Sequence, residues 1–287
     1  MNYPLVSTAW LEAHLQDEKL VLLDASMDTV IGKEPLIYDR LVCIPGARRF
    51  ELERQFCDLQ SSQIHALPTE AQFSLGIQAL GIAPDSLVVI YDNQGIYASP
   101  RAWWTFRVMG FDNVFVLDGG LPQWLAEGRK TVNEYQAVDE TAKGNAVGHY
   151  RPQLVCDSAE VLRRLDDAGT AIFDARGAAR FQGKAPEPRA GVRSGHIPHS
   201  HNLPFTEVLD GYRLRPVAEL RRRFAELSGD DADTGKRCIC SCGSGITACI
   251  LILALEAAGY DHAVLYDGSW ADWGSNHALP LETDLGK

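Results

Sequence analysis

Cys242 ends the apolar run RCICS and opens a glycine-rich stretch, CGSGITA at 242–248, which leads into a second apolar segment that stops at Gly259. Strand, tight loop and helix in that order put the cysteine at the carboxyl end of a strand, where open α/β sheets bind ligands. Gly243 and Gly245 let the loop turn its amide N–H groups inward, and a helix beginning near Thr247 adds the positive end of its dipole. Such surroundings hold a thiolate, the nucleophilic form of cysteine near neutral pH. Cys238, Cys240 and Cys249 lie on the flanking apolar runs and read as buried, inert thiols. The CxCxC run at 238–242 lacks the two-residue spacers and the second Cys or His pair of a zinc site, so neither a metal nor a cofactor is expected. Seven cysteines, an odd number, follow a start with no basic and apolar leader; free thiols and a cytoplasmic location are the expectation.

To position that loop the chain needs a parallel sheet, and its runs supply one. LVLLDA, LVVIYD and NVFVLD in the first half, and AIFDA, RCICS and AVLYD in the second, are apolar on nearly every residue and alternate with helical patterns. Strands of that kind are buried on both faces, which predicts an α/β fold with helices flanking each sheet. Helices are expected after Ser99 and Thr247; the second, apolar nearly all round, should lie inside the second domain and end on a left-handed Gly259.

The chain also repeats itself. Asp24-Ala25-Ser26 recurs as Asp174-Ala175-Arg176, Gly110-Phe111 as Gly259-Tyr260, and LDGGLPQW at 117–124 as YDGSWADW at 266–273, all at an offset of about 150 residues. Two copies of one fold follow: a domain over 1–135, a polar linker over 136–151 and a domain over 152–287, each long enough to bury its own core. The duplication sets Asp92 opposite Cys242, so the first copy has no nucleophile. A content of 46% hydrophobic and 23% charged residues is that of a soluble globular protein, and a net charge of −11 argues against a nucleic-acid partner. The longest apolar run, 249–255, is far short of the roughly 20 residues that cross a bilayer, so no membrane association is expected.

With CGSGITA at 242–248, RSGHIP at 193–198, YDGSWADW at 266–273, IYASPRAWW at 96–104 and LDGG at 117–120, the chain resembles the tandem rhodanese domains of the 3-mercaptopyruvate sulfurtransferase family over nearly its whole length. The resemblance implies two rhodanese-like domains, the first catalytically inactive, and a Cys242 that takes sulfur from 3-mercaptopyruvate as a persulfide. Thioredoxin-like dithiols, small thiols and cyanide are the implied acceptors. Gly243, Gly245, Ile246 and Thr247 of the same loop are implied to contact the substrate. Rhodaneses that use the thiosulfate dianion resemble one another in carrying basic residues just after the cysteine; here Gly243 and Ser244 stand there. In the mercaptopyruvate enzymes two arginines nine residues apart hold the carboxylate and ketone, a pattern that Arg180 and Arg189 match. A guanidinium fork fits a carboxylate, which is the physical reason for the pair.

The family also implies a proton relay through Ser244 with a histidine and an acid from the first domain. His65 matches the histidine. Glu53 stands near the acid's place, although the family has Asp there and one residue fewer before the histidine, so Glu51 is an alternative. From residue type alone Ser244 is equally a turn serine, and His65 a structural histidine. Three other functions compete. A thiosulfate sulfurtransferase shares the fold; a non-catalytic rhodanese-like sulfur sensor shares it without the chemistry. A cysteine phosphatase needs an arginine six positions after the cysteine, where this chain has Ala248.

Overall fold

The structure, a computed structural model, describes residues 3–139, 141, 143–229 and 235–284. Positions 140 and 142 of the expected linker lie outside the described residues. The first half runs β1 (Leu5–Val6), α1 (Thr8–His14), β2 (Leu20–Asp24), β3 (Arg48–Arg49), α2 (Glu70–Ala79), β4 (Leu87–Tyr91), α3 (Ser99–Val108), β5 (Val114–Leu117) and α4 (Gly120–Ala126). In the second half come β6 (Val155–Cys156), α5 (Ser158–Arg163), β7 (Thr170–Asp174), α6 (Ala178–Phe181) and β8 (His201–Asn202). A small hairpin of β9 (Leu209–Asp210) and β10 (Arg213–Leu214) follows, then α7 (Val217–Ser228), β11 (Arg237–Ser241), α8 (Ala248–Ala257), β12 (Ala263–Tyr266) and α9 (Ser269–Trp273).

Both halves build the same parallel sheet, with order β1-β5-β4-β2-β3 in one and β6-β12-β11-β7-β8 in the other. The central strands are β4 and β11, and their carboxyl ends carry Asp92 and Cys242. Their interiors, Val88–Tyr91 and Cys238–Ser241, are fully buried, as strands covered by helices on both faces must be.

Two expectations about packing change. Each half was expected to bury a core of its own, and one core instead runs through both, from Leu23, Val88 and Trp104 in the first half to Phe173, Cys240 and Leu251 in the second. Separate cores fill only the outer faces of the two sheets, one around Tyr91 and Trp124, the other around Tyr266 and Trp273. The bridge is made by the two helices that follow the central strands: α3 packs on α8. Helix α8 is therefore not inside the second domain alone; its own sheet covers one face and the first half covers another, which is why it is apolar all round. It ends as expected, with Gly259 at φ +90° and the Tyr260 N–H bonded back to Leu255 O at 2.9 Å.

The polar segment after α4 hugs the first half instead of swinging free. Val132 bridges to Cys43, Gln136 N–H bonds Ala47 O at 2.8 Å, and Gly144, Ala146 and His149 bond to carbonyls of Gln78, Ile82 and Met109. Gly144 lies so close to Ile82 that a Cβ would fall 2.0 Å from its carbonyl oxygen.

Candidate active site

Strand β11 delivers Cys242 to the floor of a cavity of about 220 Å3 between the two halves. The second half contributes Arg176, Arg180, Arg189, Phe205 and the loop residues Cys242, Gly243, Ser244, Ile246 and Thr247; the first contributes Met27, Thr29, Ile31, Glu53, His65 and Tyr97. Gly32 sits where a Cβ would stand 3.0 Å from the Phe205 ring, so the first half's 27–32 loop closes directly on the second half.

The loop's orientation has a visible cause. At the start of α9, Trp270 N–H bonds Cys242 O and Ala271 N–H bonds Gly243 O, each at 2.9 Å. With those carbonyls turned outward, amides turn in: Gly245 N–H lies 3.1 Å from Cys242 Sγ. The N–H groups of Ser244, Ile246 and Thr247 find no acceptor among the described residues. Gly245 has φ +82°, and a Cβ on it would stand 2.8 Å from both Arg101 Nη1 and Asp267 O, so glycine is required there. Gly245 thus shapes the loop from behind and is not itself on the cavity wall, unlike Gly243, Ile246 and Thr247.

On one wall Ser244 and His65 meet across the halves, with Ser244 Oγ 2.9 Å from His65 Nδ1. His65 Nε2 lies 3.3 Å from Glu53 Oε1, whereas Glu51 turns to Arg49, also at 3.3 Å. Of the two candidate acids, Glu53 is the one beside the histidine. Burial, with the charges of Arg101 and Arg189, pushes His65 down to about 4, so the ring is neutral near pH 7. A neutral ring with a carboxylate at Nε2 carries its proton there, which leaves Nδ1 to accept from the Ser244 hydroxyl. Burial raises Glu53 somewhat, Asp28 adding to it.

The two arginines come together at the loop: a Cβ on Gly243 would stand 3.3 Å from Arg180 Nη2 and 3.9 Å from Arg189 Nη1. They are not equivalent. Arg180 forks onto Glu187, with Nε 3.1 Å from Oε1 and Nη2 bonded to Oε2. The Glu187 side chain is buried and also accepts from Arg176 Nη1 at 2.8 Å; Arg176 in turn forks onto Asp174 and lies over the Trp270 ring at 4.3 Å. Arg189 has no such counter-ion among the described residues, so it leaves the arginine cluster with one unmatched positive charge.

The remaining cysteines are packed away. Burial pushes Cys238 up to about 12 and Cys43 up to about 11, and raises Cys57, Cys156, Cys240 and Cys249 as well. All seven thiols are unpaired. His196 is structural: its Nδ1 is 2.8 Å from Phe181 O and its ring stacks on Phe181.

Four side chains that shape the site were not singled out from sequence. Glu187 lies between the two arginines of APEPR, and an acid there is a signal for a counter-ion. Arg101 is the lone charge in the first turn of α3, and it is buried against Asp267 at 2.7 Å. Ser269, at the place of Gly120 in the repeat, takes φ +51° and accepts the Cys242 N–H on its hydroxyl at 3.1 Å.

Residues 7–127 and 157–276 each match the rhodanese-like domain family. Over 98% of its length the chain is 38% identical to thiosulfate/3-mercaptopyruvate sulfurtransferase 1, mitochondrial, of Arabidopsis thaliana, covering 78% of that protein. It is 35% identical to the 3-mercaptopyruvate sulfurtransferase of Escherichia coli strain K12, with 96% of this chain and 97% of that one aligned. The crystal structure of SseA from Escherichia coli, described as a 3-mercaptopyruvate sulfotransferase with the rhodanese fold, superposes with a TM-score of 0.79 at 32% identity, covering 94% of this chain and 99% of that one.

Proposed function

We propose that this chain, which belongs to the rhodanese-like domain family in its tandem form, is a sulfurtransferase that takes sulfur from 3-mercaptopyruvate onto Cys242 and releases pyruvate. The observation that carries the reading is a thiol on the floor of a small cavity whose lining combines an uncompensated arginine with a neutral serine–histidine pair. A 2-oxo acid fits that polarity: its carboxylate is drawn to Arg189, and Arg180, held flat by Glu187, presents its remaining N–H groups to the ketone.

In the first half-reaction the Cys242 thiolate attacks the substrate sulfur. An S–S bond forms, the C–S bond breaks, and its electron pair passes to C3 as the enolate of pyruvate. The substrate's thiol proton balances the step by ending on C3, leaving a Cys242 persulfide anion and pyruvate. Ser244, whose hydroxyl donates to neutral His65, is the group that carries that proton across, and Glu53 holds the ring's other proton in place. The inward amides of the loop stabilise the anionic sulfur. In the second half-reaction an acceptor thiol or cyanide attacks the outer sulfur and regenerates the thiolate; a thioredoxin-like dithiol is one such acceptor.

Thiosulfate is the second donor to be tested, because the Arabidopsis relative carries both donors in its name. The neutral Gly243-Ser244 pair favours mercaptopyruvate here. Domain limits of 1–135 and 152–287 around a linker at 136–151, and a cytoplasmic location in keeping with seven unpaired thiols, belong to the same reading. No helix of the described residues is long and apolar enough to cross a membrane.

Mass spectrometry of the protein after mercaptopyruvate treatment tests the proposal. One added sulfur atom on the peptide carrying Cys242, absent in Cys242→Ser, is the expected result; addition on another cysteine refutes it. Steady-state rates with each donor, with and without reduced thioredoxin, then rank donor and acceptor.

A further inference from the structure

We propose that Arg101 and Asp267 form a positioning pair that clamps His65 against Ser244, so that the relay exists only while the two halves are docked. The inference rests on the relay assigned above and concerns what holds it in place. His65 has φ +57°, a left-handed conformation that a side chain adopts at a free-energy cost and keeps only where its surroundings impose it.

Those surroundings come from both halves. Asp267, on the second half just after β12, accepts on one oxygen from Gln63 Nε2 at 2.7 Å and from Leu67 N–H at 3.0 Å. Those two residues bracket His65. The other oxygen of Asp267 accepts from Arg101 Nη1 at 2.7 Å, and Arg101 Nη2 donates to the carbonyl of His65 itself. The same guanidinium donates to Gly245 O at 3.1 Å, on the back of the nucleophile's loop. One buried fork from the first half therefore holds a carbonyl on each of the two loops that must meet, and one carboxylate from the second half pins the histidine's loop at two points and the fork at a third. Neither Arg101 nor Asp267 lines the cavity. Their arrangement is more specific than domain adhesion requires: an apolar contact between α3 and α8 already joins the halves.

The test is a double-mutant cycle between Asp267→Asn and His65→Ala, read as kcat and KM for mercaptopyruvate in the full chain. If Asp267 acts through His65, Asp267→Asn lowers kcat by about ten- to a hundredfold, the effect of misplacing a catalytic group by about 1 Å. In the His65→Ala background the same change then lowers kcat by less than about threefold, with KM little moved in either. Equal losses in both backgrounds, or no loss in the parent, overturn the proposal. If Asp267→Asn does not fold, as judged by circular dichroism, Arg101→Lys takes its place in the cycle with the same two outcomes, since an ammonium keeps the charge but cannot reach both carbonyls as a fork does. Failure of the parent chain to form a Cys242 persulfide is a separate result and refutes the function, not the clamp.

Discussion

Asp92 and Cys242 stand at the same point of two copies of one fold, on the loop after the central strand. In each copy the following short helix fixes the loop the same way, Leu121 N–H bonding Asp92 O at 3.0 Å and Trp270 N–H bonding Cys242 O at 2.9 Å. The cradles are filled differently. Asp92 closes its own: Oδ2 accepts from the N–H groups of Tyr97, Ala98 and Ser99 and from the Ser99 hydroxyl, and Oδ1 from Gln94 N–H. Cys242 takes only one loop amide on its sulfur and leaves the others facing a cavity. The fold makes an anion cradle at this position as a matter of backbone geometry. Whether it becomes a structural knot or a reaction site depends on whether the chain supplies the anion itself or leaves the place to a ligand.

Making the second loop like the first is the sharpest way to break that contrast. Cys242→Asp should abolish persulfide formation outright while the chain stays folded, seen as loss of the added sulfur by mass spectrometry with an unchanged circular dichroism spectrum. The reverse change, Asp92→Cys, gives no second sulfur site and removes a carboxylate from five buried donors. At about 1–3 kcal/mol for each group left unpaired and partial relief from the sulfur, a loss of about 3 kcal/mol in denaturant unfolding is expected.

Smaller effects sharpen the ligand side. Arg189→Ala should lower kcat/KM for mercaptopyruvate by about a hundredfold, and Arg180→Ala by about tenfold because Glu187 already neutralises it; both should affect thiosulfate less. Equal losses with the two donors would argue against a carboxylate clamp. The mildest test is pH. An unfolded His65 takes its proton near 6.5 and the folded one only near 4, so between these values the folded state holds fewer protons. The stability this neutral ring contributes is complete above 6.5 and drains away as pH falls toward 4. Accordingly, the acid limb of kcat/KM that belongs to His65 should lie near pH 4 and vanish in His65→Ala; a limb at 6.5 would mean that the ring is solvated in the working enzyme.

The six long strands were legible because strands covered on both faces are apolar at every position. The edge strands β1, β3, β6 and β8 were not, being two residues each, too short for any period to register. Cys242 was legible from its loop, and the two arginines from a motif. That Arg180 is neutralised while Arg189 is free depends on where the Glu187 side chain points, which no spacing encodes. Glu51 and Glu53 were indistinguishable for a similar reason, since both lie in one irregular turn and only its exact course brings Glu53 to the ring. Asp267 was visible as a repeat residue, yet its bonds to Gln63 and Leu67 span about 200 residues of chain and arise only when the halves meet.

The core that runs unbroken through α3 and α8 also bears on why a copy without a nucleophile persists. Duplicated domains that lose their activity are ordinarily free to drift or be deleted. Here deletion would strip α3 from α8 and expose part of the shared core, and a lone second half would be a sticky, aggregation-prone fragment. The first half is thus retained on two counts: it covers α8, and it supplies His65 and Glu53 to a reaction whose nucleophile lies in the second half, so heat should melt the pair in a single step.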